Sequence, residues 1–259
     1  MPVRRGFVLA AALLALAAAP AAGQSYLPKG SGPDATRYLP PPPVLGSPAD
    51  KLDHAAFRAT RRLKDGDRWV LATSDVQSSP AAMLADFSCA VGVKLDAANA
   101  PTLLALLNRA NKDLRSVVDP PKDLYRRKRP FVGTRLPICV PVDDSLIASG
   151  SYPSGHSTTG WTVALILAEL APDRATEILT RGRVFGESRV VCGVHYPSDI
   201  EAGRTNASAL VAALHSSPEF RADMDRARAE LAAVRQAAAA QPDPAQCRLA
   251  EAAAARQPW

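Results

Sequence analysis

Apolar residues recur along much of the chain with the spacing of an α-helix. One face, spaced i, i+4, i+7, i+11 and i+14, consists of Leu103, Leu107, Ala110, Leu114 and Val117. A later face with the same spacing consists of Phe220, Met224, Ala227, Leu231 and Val234. Residues 161–170 are apolar nearly all round, apart from Thr162 and Glu169, which is typical of a helix buried at the centre of a bundle. With no repeat and no alternation of strands and helices, the pattern predicts a single all-α domain, a helical bundle.

Proline marks the predicted boundaries of this domain. Pro120 and Pro121 predict the end of the helix that begins before Leu103. Residues 24–50 contain seven prolines, which predicts an extended arm, partly polyproline II, lying over the surface. Residues 241–259 are rich in Ala, Gln and Pro and predict a tail that packs loosely unless Cys247 anchors it. We therefore expect an arm at 24–50, a helical domain at 51–240 and a tail at 241–259.

The first 23 residues have the order of a secretory signal peptide. Arg4 and Arg5 precede an apolar run over residues 7–19, and the small residues 21–23 supply a cleavage site. A membrane anchor would need about 20 apolar residues, and Pro20 ends this run early. No other uninterrupted apolar stretch is long enough to span a bilayer. The sequence predicts export to the periplasm and no membrane association after cleavage.

The composition agrees with a helical globular protein. Of the 259 residues, 47% are hydrophobic and 22% charged, which excludes disorder as the overall state. Only 5% are aromatic, whereas Ala and Leu dominate, which favours helices over strands. The net charge of +6 permits anionic ligands, but most basic residues alternate with acidic ones, so it predicts no nucleic-acid partner. The exception is the basic segment 122–129, which contains Arg126, Arg127 and Lys128.

The four cysteines predict structural disulfides. Cys89, Cys139, Cys192 and Cys247 allow three pairings, and the sequence leaves all three open. No two of them have the spacing of a zinc site. In an exported chain, disulfides are the better interpretation, because such compartments are oxidising. We expect no metal and no cofactor.

Three polar clusters carry the candidate chemistry. The first runs from Lys122 to Pro130 and the second over residues 150–157. In the second, Ser154 and Gly155 stand where the N-cap of the apolar helix belongs, and the free N–H groups of a helix start can bind an anion. His156 stands at the mouth of that site. A simple cap with an incidental histidine is the alternative.

The third cluster, residues 188–199, combines an arginine with a histidine and a carboxylate. A carboxylate at Asp199 can accept from one ring nitrogen of His195 and leave the other free as nucleophile, base or metal ligand. Arg189 offers a planar fork of donors suited to phosphate. A His and an Asp four residues apart are also typical of a surface pair, and a basic segment such as the first cluster is also typical of a solvated surface. Three cations, a helix start and two histidines together suit a phosphoryl group.

In this order the clusters resemble the signature of the type 2 phosphatidic acid phosphatase superfamily, which also includes the vanadium haloperoxidases. Eleven fixed positions agree: Lys122-x6-Arg129-Pro130, Pro153-Ser154-Gly155-His156 and Ser188-Arg189-x5-His195-x3-Asp199. Within the superfamily, segment 150–156 resembles that of the class A bacterial non-specific acid phosphatases, which are secreted, all-helical and metal-independent. Ser157 stands where those enzymes more often have Thr, a change that keeps the hydroxyl.

The resemblance implies a role for each residue. His195 would attack phosphorus and become a phosphohistidine, with Asp199 orienting it. His156 would protonate the leaving alcohol and then activate water. The phosphoryl oxygens would be held by Lys122, Arg129, Ser154, the Gly155 N–H and Arg189. Since an ordinary histidine has a pKa of about 6.5, we expect the best activity below neutrality.

The resemblance implies a phosphatase of small-molecule phosphate monoesters, such as nucleotides, sugar phosphates or aryl phosphates, and other classes of function are alternatives to it. A vanadate-dependent haloperoxidase would bind vanadate at His195. A serine hydrolase would use Ser154 or Ser188, but the G-x-S-x-G elbow is missing at both. A phosphate-binding protein would not need His195 with Asp199, and a membrane lipid phosphatase would need spanning helices. The sequence leaves a homo-oligomer open.

Overall fold

The computed structural model describes residues 24–237 and 240–259, and the predicted signal peptide lies outside them. Within these ranges the regular elements are helices, with no strand, which confirms the all-α prediction. They are α1 (Ala35–Tyr38), α2 (Pro48–Thr60), α3 (Asp67–Ser74), α4 (Pro80–Val91), α5 (Pro101–Tyr125), α6 (Asp144–Ala148), α7 (Gly155–Leu170), α8 (Ala175–Val191), α9 (Pro197–Leu214), α10 (Pro218–Ala237) and α11 (Pro244–Ala254). Short 3-10 turns cover Arg61–Leu63 and Pro172–Arg174. No helix in the described ranges has the length and apolar character needed to cross a membrane.

The apolar helix α7 lies at the centre of the bundle. It packs most extensively against α8 and α9 and also contacts α4, α5 and α10. Val163, Ile166 and Leu167 are buried, whereas Trp161 is half-buried against the core. All five residues of the predicted α5 face are buried, and so are the first four of the α10 face. The helical periodicity in the sequence is therefore confirmed at all three places.

The predicted end of α5 at the proline pair is wrong. The helix continues through Pro120 and Pro121 as far as Tyr125. A proline has no N–H to offer the carbonyl four residues earlier, so Pro121 frees the carbonyl of Val117. The side-chain amide of buried Asn206 on α9 donates to that carbonyl at 2.6 Å. A tertiary contact thus replaces the missing helical bond and lets α5 carry its last turn to the polar clusters.

The first and last segments of the described part of the chain are both fastened to the bundle. In the proline-rich segment, the backbone N–H of Tyr26 donates to Asp113 on α5 at 2.8 Å, and its hydroxyl donates to Asp223 on α10 at 2.6 Å. At the other end, a disulfide between Cys89 and Cys247 joins α4 to α11. The segment 24–50 is thus held to the core by specific bonds, and Cys247 anchors the C-terminal residues.

Candidate active site

The three polar clusters meet where the C-terminal ends of α5 and α8 face the N-terminal ends of α7 and α9. The backbone N–H of Ser154 donates to the main-chain oxygen of Asp199 at 3.0 Å, which joins the second cluster to the third. Arg129 Nη1 lies 3.1 Å from His195 Nε2, which joins the first cluster to the third. Residues far apart in sequence therefore surround one small volume.

Two glycines permit this close packing. A Cβ at Gly203 on α9 would lie 2.7 Å from the main-chain oxygen of Ser154, so a larger residue there would push α7 away. Gly193 has φ +78°, in the left-handed region that favours glycine, and it forms the turn that leads into His195. Small residues thus set the position of both the helix start and the histidine.

His195 is buried and presents one ring nitrogen to the site. A guanidinium can only donate, so the contact with Arg129 identifies Nε2 as the unprotonated nitrogen of the neutral ring. Nδ1 then carries the proton and faces Asp199 Oδ2 at 3.5 Å. Burial, together with the charges of Arg129, Lys122 and Arg189, lowers the pKa of His195 well below 6.5. A neutral imidazole with an unprotonated Nε2 is the form a nucleophile needs.

The distance between His195 and Asp199 is longer than the predicted hydrogen bond. Asp199 is fully buried, and its two oxygens already accept from the Arg127 guanidinium at 2.6 Å and from the Tyr196 N–H at 2.8 Å. His195 Nδ1 has no hydrogen-bond partner among the described residues. The Tyr196 bond also caps α9, so the carboxylate serves the helix start while it faces the ring.

His156 is held through its Nε2 atom. Its Nε2 lies 3.0 Å from the main-chain oxygen of Val76, which can only accept. The neutral ring therefore carries its proton on Nε2 and leaves Nδ1 as the nitrogen that can take up or release a proton. Burial and the nearby charge of Arg189 lower the pKa of His156 to about 3. An anion that neutralised the surrounding charge would raise that pKa again.

The cations differ in how they are held. Arg129 donates to several main-chain carbonyls, and Lys122 Nζ donates to the main-chain oxygen of Gly150. Arg189 is buried, yet its Nε and Nη1 have no hydrogen-bond partner in the described part of the chain. Burial lowers the pKa of Lys122 to about 8 and those of Arg129 and Arg189 to about 10. Buried unpaired donors are rare unless a ligand satisfies them, so this arrangement favours an anion.

Sequence reasoning missed Arg127, which lies within the basic segment. Its guanidinium bonds Asp199 and also Asp53 on α2 at 2.7 Å. Burial alone would lower the pKa of Arg127, but Asp199 and Asp53 outweigh it and raise that pKa. Arg126 and Lys128 on either side are exposed. Alternating exposure is typical of extended backbone. The two-residue spacing of Arg127 from Arg129 was therefore the signal that both side chains face inward.

The second disulfide braces the same region. Cys139 and Cys192 are joined, with Cα atoms 4.8 Å apart, so the loop after Arg129 is tied to the turn before His195. Of the three pairings that the sequence left open, the structure has Cys89 with Cys247 and Cys139 with Cys192. Both pairs have Cα separations that a disulfide can span.

Neither candidate serine is arranged as a nucleophile. Ser154 caps α7 and accepts from the Ser157 N–H, and Ser188 donates to Asp75. Neither hydroxyl has a histidine partner within residues 24–237 and 240–259. Nor do three His, Cys, Asp or Glu side chains of these ranges gather as a metal ion would require.

The sequence matches a family model and several known proteins. Residues 102–222 match the model of the PAP2 superfamily, a range that contains all three clusters. The chain is 48% identical to an acid phosphatase of Zymomonas mobilis, over 85% of this chain and 83% of that protein. It is 37% identical to a non-specific acid phosphatase of Providencia stuartii, over 80% and 84% of the two chains. A non-specific acid phosphatase of Salmonella typhimurium is also 37% identical, over 75% and 78%.

The chain belongs to the PAP2 superfamily. This confirms the resemblance that the eleven motif positions carried. The PAP2 relatives named above are acid phosphatases, as the resemblance to the class A enzymes implied.

Proposed function

We propose that this PAP2 protein, an acid phosphatase, hydrolyses phosphate monoesters without a metal ion, through a phosphohistidine on His195. The observation that carries the proposal is the buried Arg189 guanidinium, whose Nε and Nη1 have no hydrogen-bond partner among the described residues, in a site with two histidines. A phosphoryl dianion would satisfy Arg189 and offset the charges of Lys122 and Arg129. The relatives are named acid phosphatases, which supports hydrolysis of phosphate esters.

In the first half-reaction, the lone pair of His195 Nε2 attacks phosphorus and the bond from phosphorus to the ester oxygen breaks. The proton on His156 Nδ1 passes to the departing oxygen, which leaves as the alcohol. Asp199 stabilises the positive ring that results. Lys122, Arg129 and Arg189, with Ser154 and the Gly155 N–H at the helix start, hold the phosphoryl oxygens as charge develops on them.

In the second half-reaction, water attacks the phosphohistidine. His156 Nδ1, now without its proton, takes one from the water as the new bond to phosphorus forms. The bond from phosphorus to His195 Nε2 breaks, and phosphate leaves. One histidine thus serves as acid and then as base, which returns the site to its starting state.

The substrates we propose are small monoesters such as nucleotides, sugar phosphates and aryl phosphates. Every residue assigned to binding contacts the phosphoryl group, so the alcohol is not selected by these contacts. We also propose export to the periplasm through the signal peptide at residues 1–23. The two cysteine pairs support an oxidising compartment.

The direct test is hydrolysis of 4-nitrophenyl phosphate with and without a chelator. We expect unchanged turnover in the chelator and inhibition by vanadate, because vanadate has the shape of the transition state for attack on phosphorus. Loss of turnover that a divalent cation restores would contradict the metal-independent reaction. Bromide oxidation in the presence of vanadate and peroxide, with no ester hydrolysis, would favour the haloperoxidase instead.

The low pKa of His156 predicts how the pH dependence of kcat differs from that of kcat/KM. Burial and the cations disfavour the charged ring, so the pKa of about 3 applies to the empty site. A bound dianion favours the charged ring and raises that pKa. Because kcat/KM reports the free enzyme and kcat the complex, we expect kcat to fall at a higher pH than kcat/KM, with the optimum of kcat below neutrality.

The control for this profile is His156→Asn, which removes the group that must be protonated. Its residual kcat should no longer fall as the pH rises through the range where that of the wild type falls. A wild-type optimum above about pH 8 would be incompatible with His156 as the acid.

A further inference from the structure

The chain immediately after α3 contacts the site without belonging to any of the three sequence clusters. Asp75 ends α3, with its backbone N–H donating to Leu71 at 2.9 Å, and Val76 follows. The main-chain oxygen of Val76 accepts from Nε2 of His156. This contact determines which nitrogen of that ring faces the substrate.

Asp75 is fixed by α8 on the opposite side. Its fully buried carboxylate accepts two bonds from the Arg181 guanidinium, at 2.5 and 3.2 Å, and one from the Ser188 hydroxyl. Arg181 and Ser188 are seven residues apart, which puts them on one face of the helix. Arg68 donates to Ser188 at 3.0 Å and completes the buried cluster.

Stability alone is a poor reason for this arrangement. Taking a carboxylate and a guanidinium out of water costs about as much as their attraction returns. What such a pair does supply is a fixed position in a dry environment. Here the fixed atoms are one residue away from the carbonyl that holds His156.

We propose that Asp75, clamped by Arg181 and Ser188, is a positioning residue for His156: it fixes the Val76 carbonyl and so aims His156 Nδ1 at the oxygen of the leaving alcohol. The inference rests on the proposed function of His156 as general acid. Asp75 itself touches neither ring nor substrate. Its loss should therefore affect only the steps in which His156 transfers a proton, and the first of these is departure of the alcohol.

The test measures how the activity lost in Asp75→Asn depends on the leaving group of the ester. Butyl phosphate must be protonated as it leaves, whereas 4-nitrophenyl phosphate gives an anion stable enough to leave without a proton. We compare kcat/KM, which covers the steps up to departure of the alcohol. We expect kcat/KM to fall by about 100-fold for butyl phosphate, because misplacing a reacting group by about 1 Å can cost about 100-fold in rate. For 4-nitrophenyl phosphate we expect kcat/KM to fall by less than about 5-fold.

Two further variants calibrate the result. Asp223→Asn also removes a largely buried carboxylate paired with an arginine, Arg109 at 2.8 Å, but between α5 and α10. It should change kcat/KM by the same factor for both esters. Ser188→Ala leaves the bonds between Asp75 and Arg181 in place, so it replaces Asp75→Asn as the test if that variant does not fold. It should give the same contrast between the two esters, at about 3- to 10-fold.

The outcomes separate this inference from the proposed function. His156→Asn should show the largest contrast between the two esters. If the wild type cleaves neither ester, or if His156→Asn affects both equally, the proposed function fails. If His156→Asn shows the contrast but Asp75→Asn and Ser188→Ala affect both esters equally or not at all, the positioning role of Asp75 is wrong.

Discussion

Replacing His195 with alanine is expected to lower phosphatase activity by about 10,000-fold or more, the scale on which enzymes lose rate when the nucleophile is removed. The variant keeps all the groups that hold the phosphoryl oxygens but has no nitrogen to attack phosphorus. It should therefore still bind phosphate and form no phosphoenzyme. The measurement is rapid mixing with a radiolabelled ester and quenching in alkali, in which phosphohistidine survives, followed by counting the label on the protein.

The matched control is His215→Ala. That histidine is half-exposed on the far end of α9 and contacts Glu169 at 3.1 Å. Its loss should leave both turnover and labelling unchanged. Label retained by His195→Ala would assign the nucleophile to another residue, whatever happened to the rate.

Replacing Arg189 with methionine is expected to have the second largest effect, with opposite signs for activity and stability. Activity should fall by about 100- to 1,000-fold, since one set of donors to the developing charge is lost. The free energy of unfolding without ligand should rise, because the variant no longer buries a guanidinium whose Nε and Nη1 lack partners in the described ranges. Thermal unfolding and steady-state kinetics of one preparation measure both quantities.

Added phosphate gives a further readout for the same variant. Phosphate should raise the melting temperature of the wild type, since a ligand that binds only the folded state stabilises it. It should do so much less for Arg189→Met. Arg181→Met is the control on the same helix, and it should lower stability by about 3–5 kcal/mol because it leaves the buried Asp75 carboxylate without its guanidinium partner. A less stable Arg189→Met with normal activity would remove Arg189 from the site.

Local patterns in the sequence predicted much of the fold. The helix faces of α5 and α10 follow from a spacing that holds wherever the helix packs. The Ser154 cap could be predicted because a capping residue acts within its own first turn, and α7 indeed begins at Gly155. The end of α5 could not, because the bond that carries the helix past Pro121 comes from Asn206, almost ninety residues later.

The candidate site likewise has residues that the sequence predicted and residues that it did not. The residues with reactive side chains could be named from the order of three motifs. The neighbours that orient them, Arg127 and Asp75, could not, because one lies among exposed basic residues and the other belongs to no motif. The long distance from His195 to Asp199 was equally hidden, since it depends on what else the carboxylate binds.

By itself the sequence determined the helical class and the superfamily and supplied the candidate site residues, because these depend on periodicity, motif spacing and residue type. Only the tertiary structure decided the cysteine pairing, the side of the segment 126–129 that faces inward, and the protonation of both histidines. The cysteine pairing depends on which distant segments the fold brings together. The other two depend on burial and on charges from distant parts of the chain. Burial lowers the pKa of His156, and the charge of Arg189 lowers it further from another helix.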